Sequence, residues 1–324
     1  METTTPIIWP ATSALTAADR WQHLLARLGY RRHERRVEPG LYALGRPGPD
    51  SPVLVTANYR LSFDALRTAL PGAAAYILVL DTDGVNVWCS AGKGTFGADE
   101  LVRRIEATGL AQVVRHRRLI LPQLAAAGVA AHEVSRRSGF RVEYGPVRAA
   151  DLPAYLNAGA ATPEMRRVRF DLGDRLLVAP VEVVHGLLPM LGAAALLYLV
   201  HGRLAALAVI MSFLAGTVLF PALLPWLPTR DFSSKGFILG GAVALVFALA
   251  EVLGGGRWRL GWALSYLLAL PAVTAYLALN FTGSTTFTSR TGVRREIYAY
   301  VPAMAALFGA GLLLAVGLTV AQLI

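Results

Sequence analysis

Residues 81–97 read DTDGVNVWCSAGKGTFG and hold the one thiol of a 324-residue chain, Cys89. A thiolate is both a nucleophile and a soft metal ligand, so this position can do chemistry that its neighbours cannot. A lone cysteine excludes an intramolecular disulfide and a zinc site of the multi-cysteine type. Most free cysteines are small buried hydrophobes, and on spacing alone that reading stays open here. Three features set Cys89 apart. It stands in a Gly/Ser/Ala-rich turn, where backbone can approach a ligand closely. A helix is expected directly after the turn, and a helix N-terminus favours thiolate. Lys93 is one of only two lysines beside 29 arginines, which suggests a position that wants the slimmer ammonium.

Other chemistries fit less well. Gly92, Gly94 and Gly97 spell G-x-G-x-x-G, but 115–123 (RHRRLILPQ) lacks the carboxylate that a dinucleotide site places there. A Walker A loop fails because Val87 stands where its first glycine belongs and Gly94 follows Lys93. No histidine lies in a D-x-H-x-x-G pattern. His132-Glu133 is no H-E-x-x-H motif, since Arg136 occupies the second histidine position.

The elements that must position Cys89 follow from periodicity. Compact apolar runs at 53–57, 75–80, 118–122 and 140–145 read as strands, and VNVW (85–88) as a short strand leading into the motif. Helical spacing covers 17–29, 61–70, 98–109, 129–139 and 149–159. This alternation predicts a three-layer α/β, Rossmann-like domain with a largely parallel sheet. In such sheets ligands sit beyond the carboxyl ends of the strands, where the motif falls.

The composition changes near residue 180. From Val181 onward only eight basic and four acidic residues remain. Apolar runs at about 184–200, 204–227, 236–253, 260–280 and 298–322 approach the ~20 residues that cross a bilayer. Pro189 interrupts the first, which is also the shortest. The expected organisation is an unassigned segment 1–35, an α/β domain over 36–180 and an all-α domain of five transmembrane helices over 181–324. Arg166, Arg167, Arg169 and Arg175 precede the first span. Arg230 and Lys235 follow the second, and Arg290, Arg294 and Arg295 follow the fourth. The other side holds Arg203, Arg257 and Arg259. This bias predicts a multi-pass protein of the cytoplasmic membrane with a cytoplasmic N-terminal domain and the C-terminus outside. METTTPIIWPATSALTAADRW has neither a basic n-region nor a long h-region, so no signal peptide is expected. Ionisable groups are scarce in the spans, chiefly Glu251, which favours anchoring over pumping. The polar stretch 281–296 reads as a cytoplasmic loop. The net charge of +10 is spread along the chain. The cluster Arg31, Arg32, His33, Arg35 and Arg36 reads as a solvated face or a segment near anionic lipid, with no nucleic-acid partner.

NVWCSAGK, Asn86 to Lys93, resembles the signature of the HgcA family, the membrane corrinoid proteins of microbial mercury methylation. That signature is Asn-Val/Ile-Trp-Cys-Ala/Ser-Ala/Gly-Gly-Lys, and all eight positions fit. The resemblance extends through VLVTANYRLSFDALR, HRRLILPQL, SGFRVEYGPVRAADLPAYL and the five spans. The corrinoid domain of that family is in turn similar to the large subunit of the corrinoid iron–sulfur protein. The present chain lacks the multi-cysteine segment that would bind a [4Fe–4S] cluster of its own.

The resemblance implies a corrinoid-dependent methyltransferase with a cobalamin-type cofactor bound base-off. It makes Cys89 the axial ligand to cobalt. Asn86, Val87, Trp88, Ser90, Ala91, Gly92 and Lys93 would cap the corrin face, continued by Gly94, Thr95, Phe96 and Gly97. Implied partners are a ferredoxin-like protein with two [4Fe–4S] clusters, a methyltetrahydrofolate-linked donor, membrane lipid and mercury(II) as methyl acceptor. The same build would also serve a methyl carrier with another acceptor. A membrane sensor or transporter with a nucleotide-binding domain is the reading from a different class.

Overall fold

The computed structural model describes residues 6–285 and 287–324. Two compact units divide at Val168 and Arg169, earlier than the change in composition. In the first unit the strands are β1 (Ile8–Ala11), β2 (Gly40–Leu44), β3 (Val53–Ala57), β4 (Ala75–Leu80), β5 (Arg118–Leu121) and β6 (Arg141–Tyr144). Its helices are α1 (Ala17–Arg27), α2 (Arg60–Thr68), α3 (Val87–Lys93), α4 (Ala98–Ala107), α5 (Leu110–Val113), α6 (Ala131–Ser138) and α7 (Leu152–Ala158).

The strands form one sheet in the order β1-β2-β4-β3-β5-β6. Every pairing is parallel except β2 with β4. β3 and β4 are buried at every position, as expected for continuous apolar strands covered on both faces. One core lies between the sheet and α3, α4 and α6, with Leu78, Leu80, Phe96, Leu101 and Phe140 inaccessible. Another lies under α2 and α7, around Leu54, Phe63, Ile77 and Tyr155.

Two strands escaped the sequence pattern, β1 and β2. β1 carries Pro10, which an edge strand tolerates because only one side pairs. The segment ahead of residue 36 thus supplies an edge strand and α1. Thr16 caps α1 in a capping box with Asp19, and Arg67 on α2 binds Asp19 at 2.9 Å and buried Asp64 at 2.6 Å. Arg67 also donates to the carbonyls of Thr12 and Ala14, which fastens the first strand's exit to α2.

The second unit is helical: α8 (Leu172–Leu176), α9 (Ala179–His201), α10 (Arg203–Leu214), α11 (Phe220–Leu223), α12 (Phe232–Gly254), α13 (Arg259–Asn280) and α14 (Arg290–Leu323). A π turn at Ala215–Leu219 joins α10 to α11. Five segments are long and apolar enough to cross a membrane: Leu172–His201, Arg203–Leu223, Phe232–Gly254, Arg259–Ser284 and Arg290–Leu323. The layout is that of a multi-pass membrane protein. α9 continues through Pro189, so the interruption expected there does not occur. The stretch 281–296 is not all loop either. From Arg290 it is helical, and Glu296 is buried where its carboxylate accepts from the Ser233 amide (2.8 Å) and hydroxyl (2.9 Å) at the start of α12. Gly236, Gly240, Ala244 and Ala248 form a buried stripe of small residues along α12, the pattern that lets membrane helices approach closely.

Candidate functional site

β3 is flanked by β4 on one side and β5 on the other, so the chain reverses its direction of winding there. A crevice at such a switch point is where open α/β sheets bind ligands. The motif lies beyond it. The register pairs Ala57 with Leu80, which sets the next residues, Asn58 and Asp81, side by side. Asn58 is buried and organises the turn that follows β4. Its amide donates to Asp81 Oδ1 at 3.1 Å. Its Oδ1 accepts from the amides of Thr82 (3.1 Å) and Gly84 (3.0 Å) and lies 2.9 Å from the Thr82 hydroxyl. Glu100, in the first turn of α4, accepts from the Asp81 amide at 2.8 Å. Gly84 sits at φ +68°, with the His33 carbonyl 2.2 Å from where a Cβ would stand.

Residues 85–88 are not the strand expected from their alternation. Val87 and Trp88 open α3, and Cys89 lies in its first turn rather than ahead of the next helix. Asn86 decides this. In extended conformation, its Oδ1 accepts from the Cys89 amide at 2.9 Å, a side-chain cap of the kind asparagine favours. Gly94 ends the helix at φ +88°. The pair Asn86 and Gly94 is a cap-and-stop signal that the sequence carried.

α3 has two faces. Val87, Ser90 and Ala91 are buried, and the Ser90 hydroxyl returns to the Asn86 carbonyl at 2.6 Å. Cys89, Gly92 and Lys93, at i, i+3 and i+4, form the outward stripe, with Gly92 and Lys93 exposed and Cys89 half-buried. Asn86, Val87 and Trp88 border a cavity of about 330 Å³ with β3, β5 and α2. Thr95 is half-buried, and Phe96 and Gly97 are buried and lead into α4. Gly128 makes the inner packing possible: a Cβ there would stand 2.4 Å from the Phe96 carbonyl and 2.8 Å from that of Ala91. Thr82 and Gly84 belong to Asp81-Thr82-Asp83-Gly84, a turn signal in the sequence; Asn58, Glu100 and Gly128 also hold the motif in place, and sequence reasoning did not single them out. Asn58 and Gly128 lie about thirty or more positions from Cys89, so neither left a local signal.

Cys89 is a free thiol. Among the described residues no group of three or more His, Cys, Asp or Glu could share a metal. A metal held here through protein sulfur would need its other positions filled by its own ligand, as in a metal-bearing macrocycle. Two further observations fit such a group. A Cβ at Gly92 or Gly94 would meet nothing within 4 Å, so the floor beside the thiol is open backbone. The Thr95 hydroxyl is buried with no hydrogen-bond partner, a donor left for a ligand with a polar rim.

Comparison with known proteins gives the class of this unit. Residues 28–156 match the family of the CO dehydrogenase/acetyl-CoA synthase delta subunit, CdhD. The first unit therefore resembles that family over residues 28–156. Among individual proteins, the chain is 36% identical over 123 residues to the acetyl-CoA decarbonylase/synthase complex subunit gamma of Archaeoglobus fulgidus, covering 37% of this chain and 26% of that one. The corresponding subunit of Methanocaldococcus jannaschii is 39% identical over 97 residues, 29% of this chain and 20% of its own length. The corrinoid/iron-sulfur protein large subunit of Moorella thermoacetica is 27% identical over 161 residues, 47% of this chain and 36% of its own. The matches thus span about a fifth to a third of these relatives' lengths.

Proposed function

We propose that the chain is a membrane-anchored corrinoid methyltransferase that passes a methyl group to mercury(II), giving methylmercury. The observation that carries this reading is the free, half-buried thiol of Cys89 on the outward stripe of α3, within a CdhD-like domain. A corrinoid bound there supplies a methyl group on cobalt. Cys89 would hold the cobalt through its sulfur, from a backbone position that Asn86 fixes by accepting from the Cys89 amide. An electron-rich sulfur suits methyl transfer to an electrophile such as mercury(II). Gly92 and Gly94 would leave a flat floor for the ring, the Thr95 hydroxyl would donate to its rim, and Lys93 stands at the exposed edge. The cavity bordered by Asn86, Val87 and Trp88 would hold part of the same group. Val87, Ala91 and Phe96 act from below, by packing α3 against the core.

We assign corrinoid binding to the expected domain 36–180 as far as Val168, where the first unit ends, and membrane anchoring to the helical unit from Arg169, with the N-terminal domain in the cytoplasm and the C-terminus outside, from the arginine bias of the short connections. Electrons come from a ferredoxin-like partner with two [4Fe–4S] clusters, and the methyl group from a methyltetrahydrofolate-linked donor. The single thiol favours a second reading for the acceptor alone. Mercury(II) prefers two thiolates and this chain offers one, so a methyl carrier of the same build with another acceptor shares the geometry.

The deciding experiment is anaerobic reconstitution of the full chain with cobalamin, followed by X-ray absorption at the cobalt edge. A cobalt–sulfur distance that disappears in Cys89→Ala is expected; its absence from the wild-type protein would overturn the reading. Methylmercury formation in cells carrying the wild type but not Cys89→Ala separates mercury from other acceptors.

A further inference from the structure

The helical unit contains a cleft of about 610 Å³ lined by α9, α10, α13 and α14. Its α13 wall runs from Trp262 to Leu277, about 22 Å at the helical rise. A wall of that length suits an extended hydrocarbon chain. No lysine, arginine, aspartate or glutamate lines it.

Its polar groups are mostly committed. The Ser212 hydroxyl donates to the Leu270 carbonyl at 3.0 Å, and that of Ser265 donates to the Gly311 carbonyl at 2.9 Å. The Tyr266 hydroxyl donates to Glu251 at 3.4 Å. Trp262 differs. It is 1% exposed, it lines one end of the cleft, and its indole N–H is buried with no partner. The His201 ring stacks on it at 3.8 Å and 12°, and His201 pairs with Glu251 at 2.9 Å. A buried donor left unpaired is costly, and an acceptor on a ligand would remove that cost. Ionisable groups inside a membrane span mark functional sites by default.

We propose that this cleft binds an isoprenoid quinone, with the tail along α13 and a head carbonyl accepting from Trp262. The charge pattern selects the head group. A phospholipid phosphate would find no basic residue in the lining and would approach the His201–Glu251 pair. A quinone head is neutral and carries only acceptors, and its isoprenoid tail matches the apolar walls. The inference concerns binding alone and is independent of the reading of Cys89, because it uses no residue of the soluble unit.

The test uses the full chain in phosphatidylcholine nanodiscs, titrated with menaquinone-4 and followed by native mass spectrometry. Saturable one-to-one binding is expected. Trp262→Phe keeps the ring and removes the donor, and should weaken binding about tenfold. Ala305→Trp fills the cleft from an exposed face of α14 and should abolish binding with helical content unchanged. No saturable binding by the wild type, equal binding by both variants, or extracts of the purified protein that hold phospholipid alone would each overturn the proposal.

Discussion

Glycine serves different ends along the two units. In the first unit most of the important glycines lie at turns and supply backbone conformations that side chains resist: Gly84 at φ +68°, Gly94 at +88°, Gly109 at +57°, Gly139 at +75°, while Gly128 makes room by lacking a Cβ. In the helical unit Gly202, Gly255 and Gly256 turn the chain between helices, but Gly236 and Gly240 lie inside α12 and supply the absence of a Cβ. A Cβ at Gly240 would stand 2.7 Å from the Thr274 Cβ and 2.8 Å from the Pro271 Cα. One at Gly236 would stand 2.6 Å from the Ala275 Cα. The difference follows from the solvent. In water the hydrophobic effect brings elements together and turns must then fit the paths left to them. In lipid that drive is missing, so helices are held by close packing, which small residues permit.

The sharpest way to break this comparison is Gly84→Ala, which combines a left-handed backbone with a carbonyl 2.2 Å away. A loss of about 3 kcal/mol or more is expected, read by denaturation of the soluble unit's strand signal. An unaffected transition would show that the Asn58 network does not fix the turn. Gly240→Ala should cost about 1–3 kcal/mol by overpacking α12 against α13, read as weaker resistance to unfolding in detergent. If it were neutral, close approach would not be what holds that pair.

Gly92→Ala sharpens the comparison from the other side. Its Cβ meets nothing within 4 Å and the position is inside α3, so stability should rise by about 0.5–1 kcal/mol through helix propensity. Cobalamin affinity, measured by visible absorption, should still fall, because the methyl group would occupy the floor beside Cys89. Equal affinity would remove the flat face from the account.

The smallest effect concerns pH. Burial pushes the Asp19 carboxyl up, but hydrogen bonds from Thr16 and Arg67 outweigh it and hold the group below its ordinary range. The Arg118 hydrogen bond does the same for Glu143, against its burial. A carboxylate depressed in the folded state stabilises above its unfolded pKa and loses that contribution as pH falls towards the folded value. The soluble unit should therefore weaken from about pH 4 downward. Amide exchange in α1 and β6 that stays equally protected at pH 3 would contradict this.

Much of the fold was legible because its signals are local. Apolar runs at 53–57 and 75–80 are buried on both faces whatever surrounds them, and five hydrophobic stretches of bilayer length need no partner to be recognised. The single cysteine and its signature likewise marked the candidate site without a structure. β2 was missed because the five residues Gly40–Leu44, directly after Pro39, carry too little pattern. Residues 85–88 were misread because Val-Asn-Val-Trp alternates like a strand until Asn86 is seen capping Cys89.

The sequence by itself determined where long apolar stretches lie, how most of its strands and helices alternate, and where its one thiol stands. Those properties depend on residue type and short-range spacing. Tertiary structure alone decided which face of α3 carries Cys89, that Asn58 fixes the turn before it, that Gly128 lets its inner face settle, and that Trp262 is left with an unpaired N–H. Each of these rests on distances between residues far apart in the chain, which packing sets and no local pattern records.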